Sequence, residues 1–312
     1  MQLIRGLHNL GSHPPCALTI GNFDGVHRGH QDLLHRLVKS ARELNLPSCL
    51  LSFEPLPQEF FAREKAPPRL TRLREKWNAL QDTHIDEFIC VKFNNALAGL
   101  SAEDFIQTIL VNKLNTRYLL VGDDFHFGND RQGDYNLLKQ AGTTAGFDVV
   151  NSHSICQGNT RISSTAIRAA LQNNELDLAN HMLGRPYQIC GRVAHGDKRG
   201  RTIGFPTANI RLRRHATPLA GVYAVSLHGI GDNPLQGVAN IGKRPTVDGI
   251  NLQLEVHLFN FDQSIYGLEV CVEFQHKLRD EQRFESFDAL KQQIQIDSKQ
   301  AQHFFAAQTK TG

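Results

Sequence analysis

The chain has almost no net charge: 34 Lys and Arg stand against 31 Asp and Glu, a formal balance of +3. With so small a basic excess, bulk electrostatics do not point to nucleic acid as a partner. Long apolar runs are missing too. No stretch approaches the roughly 20 residues of a membrane-spanning helix, and the opening MQLIRGLHNLGSHPP has no apolar core of signal-peptide length. The expectation is a cytoplasmic protein with no membrane partner. Cysteine is sparse: Cys16, Cys49, Cys90, Cys156, Cys190 and Cys271 are scattered and form no CxxC pair. Reduced, core-filling thiols are the expected state. No internal repeat or low-complexity linker occurs, and neither GxxxxGK[ST] nor GxGxxG is found. What is present is an ordinary globular composition, 40% hydrophobic and 21% charged, over 312 residues. At about 100–200 residues per domain, that length suits two domains.

Hydrophobic periodicity divides the chain. In the first part, short apolar runs alternate with helical patterns. Strands are predicted at Cys16–Gly21, Ser48–Phe53, Glu87–Phe93, Arg117–Gly122 and Gly146–Ser152. Between the first two, Leu33, Leu34, Leu37, Val38, Ala41 and Leu44 recur at helical spacing, and a helix is expected from His30 or Gln31 to just before Pro47. Further helices are expected over Leu70–Gln81 and from Ser101. Such alternation implies a mostly parallel sheet covered on both faces, with ligands beyond the carboxyl ends of its strands. After about Gly184 the period becomes two. Leu252, Leu254, Val256 and Leu258 alternate with Gln253, Glu255, His257 and Phe259, and similar runs occur at Gln188–Val193, Gly221–Leu227 and Leu268–Phe274. This is antiparallel patterning of a small barrel or sandwich. An amphipathic helix from Ser286, carrying Leu290, Ile294, Ala301 and Phe304, is expected to cap it. The domains are read as 1–184 and 185–312.

The stretch LTIGNFDGVHRGHQDLL places His27 and His30 between the first strand and its helix, with Gly21, Gly25 and Gly29 around them. The first turn of a helix offers unpaired N–H groups and positive partial charge, which attract phosphate. Two histidines entering that helix could donate to phosphate oxygens and stabilise charge at a nucleotide's α-phosphate. The loop VGDDFHFGNDRQGD (Val121–Asp134) follows the fourth strand without helical or strand period. RISSTAIRAAL (Arg161–Leu171) puts Ser163, Ser164 and Thr165 at a helix start with Arg168 one turn inside, again suited to phosphate.

Together, GNFDGVHRGH, GDDFHFG and RISSTAIR resemble the adenylyltransferase module of the prokaryotic bifunctional riboflavin kinase/FAD synthetase family. The HxGH element is related to that of other nucleotidyltransferases and class I aminoacyl-tRNA synthetases. The resemblance implies that the FMN phosphate attacks the α-phosphorus of ATP, giving FAD and pyrophosphate. It implies ATP or phosphate contacts from Gly21, Asn22, Phe23, Asp24, His27, Gly29, His30, Ser163, Ser164, Thr165 and Arg168. Asp123, Phe125 and Phe127 would form part of the flavin or adenine surroundings.

In the second part, GRVAHGDKRGRTIGFPTANI spaces Gly191, Gly196, Gly200 and Gly204 through a basic stretch with Lys198, Arg199 and Arg201, a plausible phosphate cradle. Thr207 and Asn209 offer hard oxygen contacts for Mg²⁺. Glu255 stands on the strand face opposite the apolar residues and could take a proton from an attacking hydroxyl. GRTIGFPTANI, GVYAV, VANIGKRPT, LEVHLFNF and KLRDEQRF resemble the riboflavin kinase module of the same family. That implies a six-stranded barrel in which Thr207 and Asn209 bind Mg²⁺ and ATP phosphate, and the glycine-rich loop closes over ATP. Glu255 would activate the ribityl hydroxyl of riboflavin, with Arg279 and Phe284 near the flavin.

The resulting expectation is an α/β Rossmann-like nucleotidyltransferase domain followed by an antiparallel barrel kinase. Its substrates are riboflavin, FMN and ATP, with Mg²⁺ as cofactor. A monomer or weak homo-oligomer is expected, with client flavoproteins as further partners. Two alternatives stand beside this: a flavin-binding sensor without turnover, and a nucleotidyltransferase acting on another substrate.

Overall fold

The computed structural model describes residues 1–62, 64–122, 124–152, 156–157, 160–194, 205–246 and 249–309. For 156–157, 160, 243–246, 249–251 and 309 it describes the backbone only. Two compact units form: Met1–Pro67 with Thr71–Ser164, and Pro68–Leu70 with Thr165–Gly312.

The first unit is a six-stranded sheet: β1 (Gln2–Arg5), β2 (Cys16–Ile20), β3 (Ser48–Glu54), β4 (Glu87–Lys92), β5 (Thr116–Gly122) and β6 (Asp148–Ser152). All neighbours pair in parallel, in the order β1-β4-β3-β2-β5-β6. Strand alternation sends residues to two cores. Leu18, Leu51, Ile89 and Val91 pack with Ile106, Ile109, Leu110 and Leu138 on one face. On the other, Leu50 and Phe88 meet Leu34 and Val38, and Ala17 and Leu120 meet Leu37 and Ala41. Continuous burial along β2 follows from this double covering. A short antiparallel pair, β7 (Cys156–Gln157) and β8 (Thr160–Arg161), follows β6.

Local chemistry moves several predicted boundaries. The helix after β2 runs Arg28–Glu43, beginning before His30, because His27 caps it: His27 Nδ1 accepts from the His30 N–H at 3.3 Å. The helix expected from Leu70 starts at Leu73, where the Glu75 carboxylate accepts from the Arg72 N–H at 2.6 Å. Ser101 caps its helix as expected, accepting from the Asp104 N–H at 3.0 Å. Edge strand β1, the helix Tyr135–Ala145 capped by Asp134 and the helix Leu176–Leu183 are among the elements that were not anticipated.

The second unit contains a closed antiparallel barrel of β9 (Gln188–Ala194), β10 (Ala208–Ile210), β11 (Gly221–His228), β12 (Leu235–Thr246), β13 (Gly249–Leu258) and β14 (Glu269–Arg279). Leu254, Val256 and Leu258 are buried while Gln253, Glu255 and His257 are half-buried, so the predicted alternation holds. Inside, Tyr223 meets Phe274 edge-on at 5.3 Å. The C-terminal helix Phe287–Thr309 lays Ala301 and Phe305 over Val222, Ala224 and Val238. Arg279 anchors it: Nε and Nη2 contact both carboxylate oxygens of buried Asp297 at 2.8–3.1 Å.

The cysteine expectation needs one correction. Cys190 and Cys271 stand directly opposite on β9 and β14, Cα–Cα 4.0 Å, and are joined as a disulfide. Antiparallel register, invisible in sequence spacing, brings them together. Cys16, Cys49 and Cys90 remain thiols and are buried. Among the described residues, no helix is long and apolar enough to cross a membrane.

Two stability predictions follow from the barrel. Asp297→Asn leaves the Arg279 charge unmatched and should lower unfolding free energy by roughly 3 kcal/mol or more in urea titrations. Burial raises the Tyr223 phenol to about 12, its hydroxyl donating to the Ala220 carbonyl at 3.1 Å. The folded state therefore holds this proton after the unfolded chain, near pH 10, has released it. This contribution is intact below pH 10 and is lost progressively up to pH 12, by at most about 3 kcal/mol. In Tyr223→Phe the fall between pH 10 and 12 should be shallower than in the parent.

Candidate active sites

In the first unit, the chain steps from β2 to β3 and β4 on one side, then returns to β5 on the other. The connections thus diverge at β2 and β5, and the space beyond the carboxyl ends of two such strands is the usual ligand position in an open α/β sheet. The loops that follow these two strands, Gly21–His27 and Gly122–Asp134, hold the first two predicted motifs.

The first loop is bent hard. Phe23, Gly25 and Val26 have φ of +47°, +88° and +43°. A β-branched residue in that region costs on the order of 1–3 kcal/mol, sustained only where the surroundings enforce it. They do so through buried hydrogen bonds. Asp24 Oδ1 accepts from the Thr71 N–H at 2.9 Å and from its hydroxyl at 3.3 Å, and Thr71 Oγ1 accepts from the Gly25 N–H at 2.9 Å. The Asn22 carbonyl accepts from the ammonium of buried Lys76 at 2.5 Å and from Ser52 Oγ at 3.2 Å. Gln31 donates to the Val26 carbonyl at 2.8 Å.

The bend stacks the His27 and His30 rings, centroids 3.6 Å apart, with Phe23 against His30 at 4.6 Å. A Cβ at Gly29 would stand 3.2 Å from the His27 ring, so glycine there leaves the stack undisturbed. Since His27 Nδ1 accepts a backbone N–H, Nε2 carries the proton and is a donor even in the neutral ring.

The third motif reaches the same loop. Ser164 Oγ donates to the Asp24 carbonyl at 2.7 Å, and the Ile162 carbonyl lies beside Gly29. Asp124 and Arg161 pair at 3.1 Å, tying the loop after β5 to this motif. The structure thus brings together Gly21, Asn22, Phe23, Asp24, His27, Gly29, His30, Ser163 and Ser164. Thr165 and Arg168 fall in the second unit, where Arg168 Nε donates to the Pro68 carbonyl at 2.6 Å. Phe127 is buried against Phe105, and half-buried Phe125 stacks on it at 5.6 Å. Asp123 lies outside the described residues.

In the barrel, register does the assembly. Asn209 on β10 pairs directly with Glu255 on β13. The Gln253 side-chain amide bridges them, donating to Asn209 Oδ1 at 2.9 Å and to Glu255 Oε1 at 2.6 Å. The His257 ring packs edge-on to Phe205 at 5.1 Å and hydrogen-bonds the Pro206 carbonyl at 3.0 Å, supporting the segment that leads to Thr207. A hydroxyl, an amide oxygen and a carboxylate form a donor set of hard oxygens, which suits Mg²⁺ and not a softer metal. Gly191 lies within β9, where a Cβ would meet the Arg211 carbonyl at 2.6 Å. Arg279 is held on Asp297 and lies 5.6 Å from the Phe284 ring. Gly196, Lys198, Gly200, Arg201 and Gly204 lie outside the described residues.

Sequence reasoning missed Thr71, Lys76, Ser52 and Gln253. The only signal for the first three is a polar residue at a buried position, and burial shows only in the fold. Thr71→Val should lose about 1–3 kcal/mol of stability in urea, because both side-chain hydrogen bonds vanish without a change of volume. Thr71→Ser should retain most of it. Equal stability of the two variants would rule out this anchor.

Comparison with known proteins supplies the remaining findings. The family model described as FAD synthetase matches residues 10–166, and that described as riboflavin kinase matches 183–305. The bifunctional riboflavin kinase/FMN adenylyltransferase of Escherichia coli (strain K12) is 53% identical over 307 residues, covering 98% of each chain. The protein so described from Haemophilus influenzae is 53% identical over 306 residues, covering 98% of this chain and 99% of its own. That of Pseudomonas fluorescens is 50% identical over 299 residues, covering 95% and 96%. A solved structure described as a macrolide-efflux protein from Streptococcus pneumoniae superposes with TM-score 0.79 at 31% identity, covering 95% of this chain and 97% of its own.

Proposed function

The chain belongs to the bifunctional riboflavin kinase/FMN adenylyltransferase family, and from that premise we propose how its residues divide two ATP-dependent reactions. It phosphorylates riboflavin to FMN and adenylylates FMN to FAD. The functional boundary is drawn at Gly184, where the helix Leu176–Leu183 ends in a left-handed glycine cap. The riboflavin kinase match beginning at residue 183 supports it. Residues 1–184 then carry adenylylation and 185–312 phosphorylation.

For adenylylation, an FMN phosphate oxygen attacks the α-phosphorus of ATP and pyrophosphate leaves. The nucleophile is already ionised, so the protein's part is position and charge. His27 Nε2–H and the first turn of the helix Arg28–Glu43 donate to the ATP phosphates, with His30 beside them. Gly21, Asn22, Phe23, Asp24 and Gly29 shape the cradle. Ser163, Ser164, Thr165 and Arg168 complete the phosphate contacts, and Asp123, Phe125 and Phe127 the flavin or adenine side. The observation that carries this reading is the stacked His27–His30 pair at the switch point of the sheet.

For phosphorylation, Glu255 accepts the proton of the ribityl hydroxyl, whose oxygen attacks the γ-phosphorus as ADP leaves. Gln253 holds the carboxylate and Asn209 in fixed relation. Mg²⁺ would be held by Thr207 and Asn209, and when bound it supplies charge neutralisation at the ATP phosphates. Gly191, Gly196, Lys198, Gly200, Arg201 and Gly204 are proposed for ATP, and Arg279 and Phe284 for the flavin. Both residue sets lie on one chain, which supports a monomer as the working unit. The ATP requirement of both steps supports the cytoplasm as their place.

Neither a flavin sensor nor a nucleotidyltransferase of other specificity is favoured by an observation here. A sensor has no use for a carboxylate paired with an Mg²⁺-type donor set.

Riboflavin or FMN, with ATP and Mg²⁺, would be given to purified variants and the flavins separated by chromatography. Glu255→Ala should slow FMN formation by about 10²–10⁴-fold while added FMN is still adenylylated. His30→Ala should slow FAD formation by about 10²–10³-fold and leave FMN formation intact. Loss of both activities in both variants would overturn the assignment of separate sites.

A further inference from the structure

A second cluster of reactive side chains lies at the other end of the parallel sheet. Glu87 is the first residue of β4, Cys49 the second of β3, and the strand register places them directly opposite each other. His13, from the segment that precedes β2, meets Glu87 with Nε2 to Oε2 at 2.8 Å. Cys49 Sγ is 3.7 Å from the same oxygen. One nitrogen, one sulfur and one oxygen thus converge, all within 4.8 Å of one another. The His13 and Glu87 side chains are 4% and 18% exposed, and Cys49 is fully buried.

From this geometry we propose that His13, Cys49 and Glu87 bind one divalent cation of the zinc class. The imidazole is set up for it. His13 Nδ1 lies 2.7 Å from the Pro14 carbonyl, which can only accept, so Nδ1 carries a proton and Nε2 is the nitrogen aimed at the cluster. A ligating histidine commonly donates its other N–H to a carbonyl in this way.

The distances fit. Zinc bonds of about 2.0–2.3 Å in a tetrahedron imply N···O and S···O edges of about 3.3 and 3.5 Å. The sulfur–oxygen edge nearly matches, and the nitrogen–oxygen pair must open by about 0.5 Å. The mixed sulfur and nitrogen set favours zinc-like ions over Mg²⁺. On binding, the Cys49 thiol and the His13 Nε2–H that donates to the Glu87 carboxylate each release a proton to solvent as the metal–sulfur and metal–nitrogen bonds form. Cys16 adjoins the cluster, in hydrogen-bond contact with His13 and Cys49, and its thiol also reaches the Leu114 carbonyl at 3.2 Å.

These residues stand at the amino ends of β3 and β4, whereas the His27–His30 loop stands beyond the carboxyl end of β2. A strand of five residues, about 17 Å, separates the two ends. The cation would clip the segment before β2 to β3 and β4 without touching substrate.

The test uses the full chain, reduced and freed of metal by chelation, with Co²⁺ or Zn²⁺ as the probe. One Co²⁺ per chain should produce a thiolate-to-cobalt charge-transfer band in the near ultraviolet. Cys49→Ser should abolish that band and weaken Zn²⁺ binding about tenfold or more against a chromogenic chelator. His13→Gln should weaken Zn²⁺ binding by a similar factor. The double change Cys190→Ser, Cys271→Ser should keep the band. Adenylylation of FMN should continue in His13→Gln, showing that the variant is folded. Absence of Zn²⁺ uptake by the parent chain, or undiminished uptake by His13→Gln and Cys49→Ser, would overturn the proposal and leave a plain His13–Glu87 ion pair.

Discussion

A buried carboxylate braces the turn between β2 and the helix that follows it. Asp24 takes both the N–H and the hydroxyl of Thr71, and Thr71 in turn takes the Gly25 N–H. That cross-brace, with the Lys76 and Gln31 hydrogen bonds beside it, holds the left-handed backbone at Phe23 and Val26. With it, His27 arrives where its ring can cap the following helix, and the His30 ring lies flat upon it. The Asp24 carbonyl then receives Ser164, which joins the third motif to the first. The turn proposed to cradle phosphate is therefore a strained one, stabilised by buried hydrogen bonds.

The barrel solves its problem differently, through register. Alternation along β13 sends Leu254 and Val256 inward and leaves Gln253 and Glu255 on the other face. Antiparallel pairing then sets Asn209 opposite Glu255, and Gln253 spans the two. A shift of one residue would turn Glu255 into the core and destroy the site. The C-terminal helix is seated by a pair across elements, because Arg279 at the end of β14 meets buried Asp297 on that helix. Arg279 thus serves the framework as well as the flavin side proposed for it.

Much of this was legible in the chain, for a physical reason. Helix and strand periods are local, so β2, β3, β4 and β5, the helix after β2 and the alternation of β13 could be read directly. The switch to antiparallel strands after Gly184 was equally plain. Edge strand β1 escaped because its four residues, two exposed and two half-buried, carry no period. The early start of the helix at Arg28 escaped because a histidine is an unusual cap.

By itself, the sequence determined the two fold classes and their order, and it marked the short stretches proposed for phosphate chemistry, because each depends on residues close together in the chain. The tertiary structure decided which residues support that chemistry. Thr71 lies 47 positions from Asp24, Ser164 lies 140 from it, and Gln253 reaches Asn209 across 44. The Cys190–Cys271 bridge spans 81. Burial and strand register create these pairings, and neither quantity exists until the chain has closed on itself.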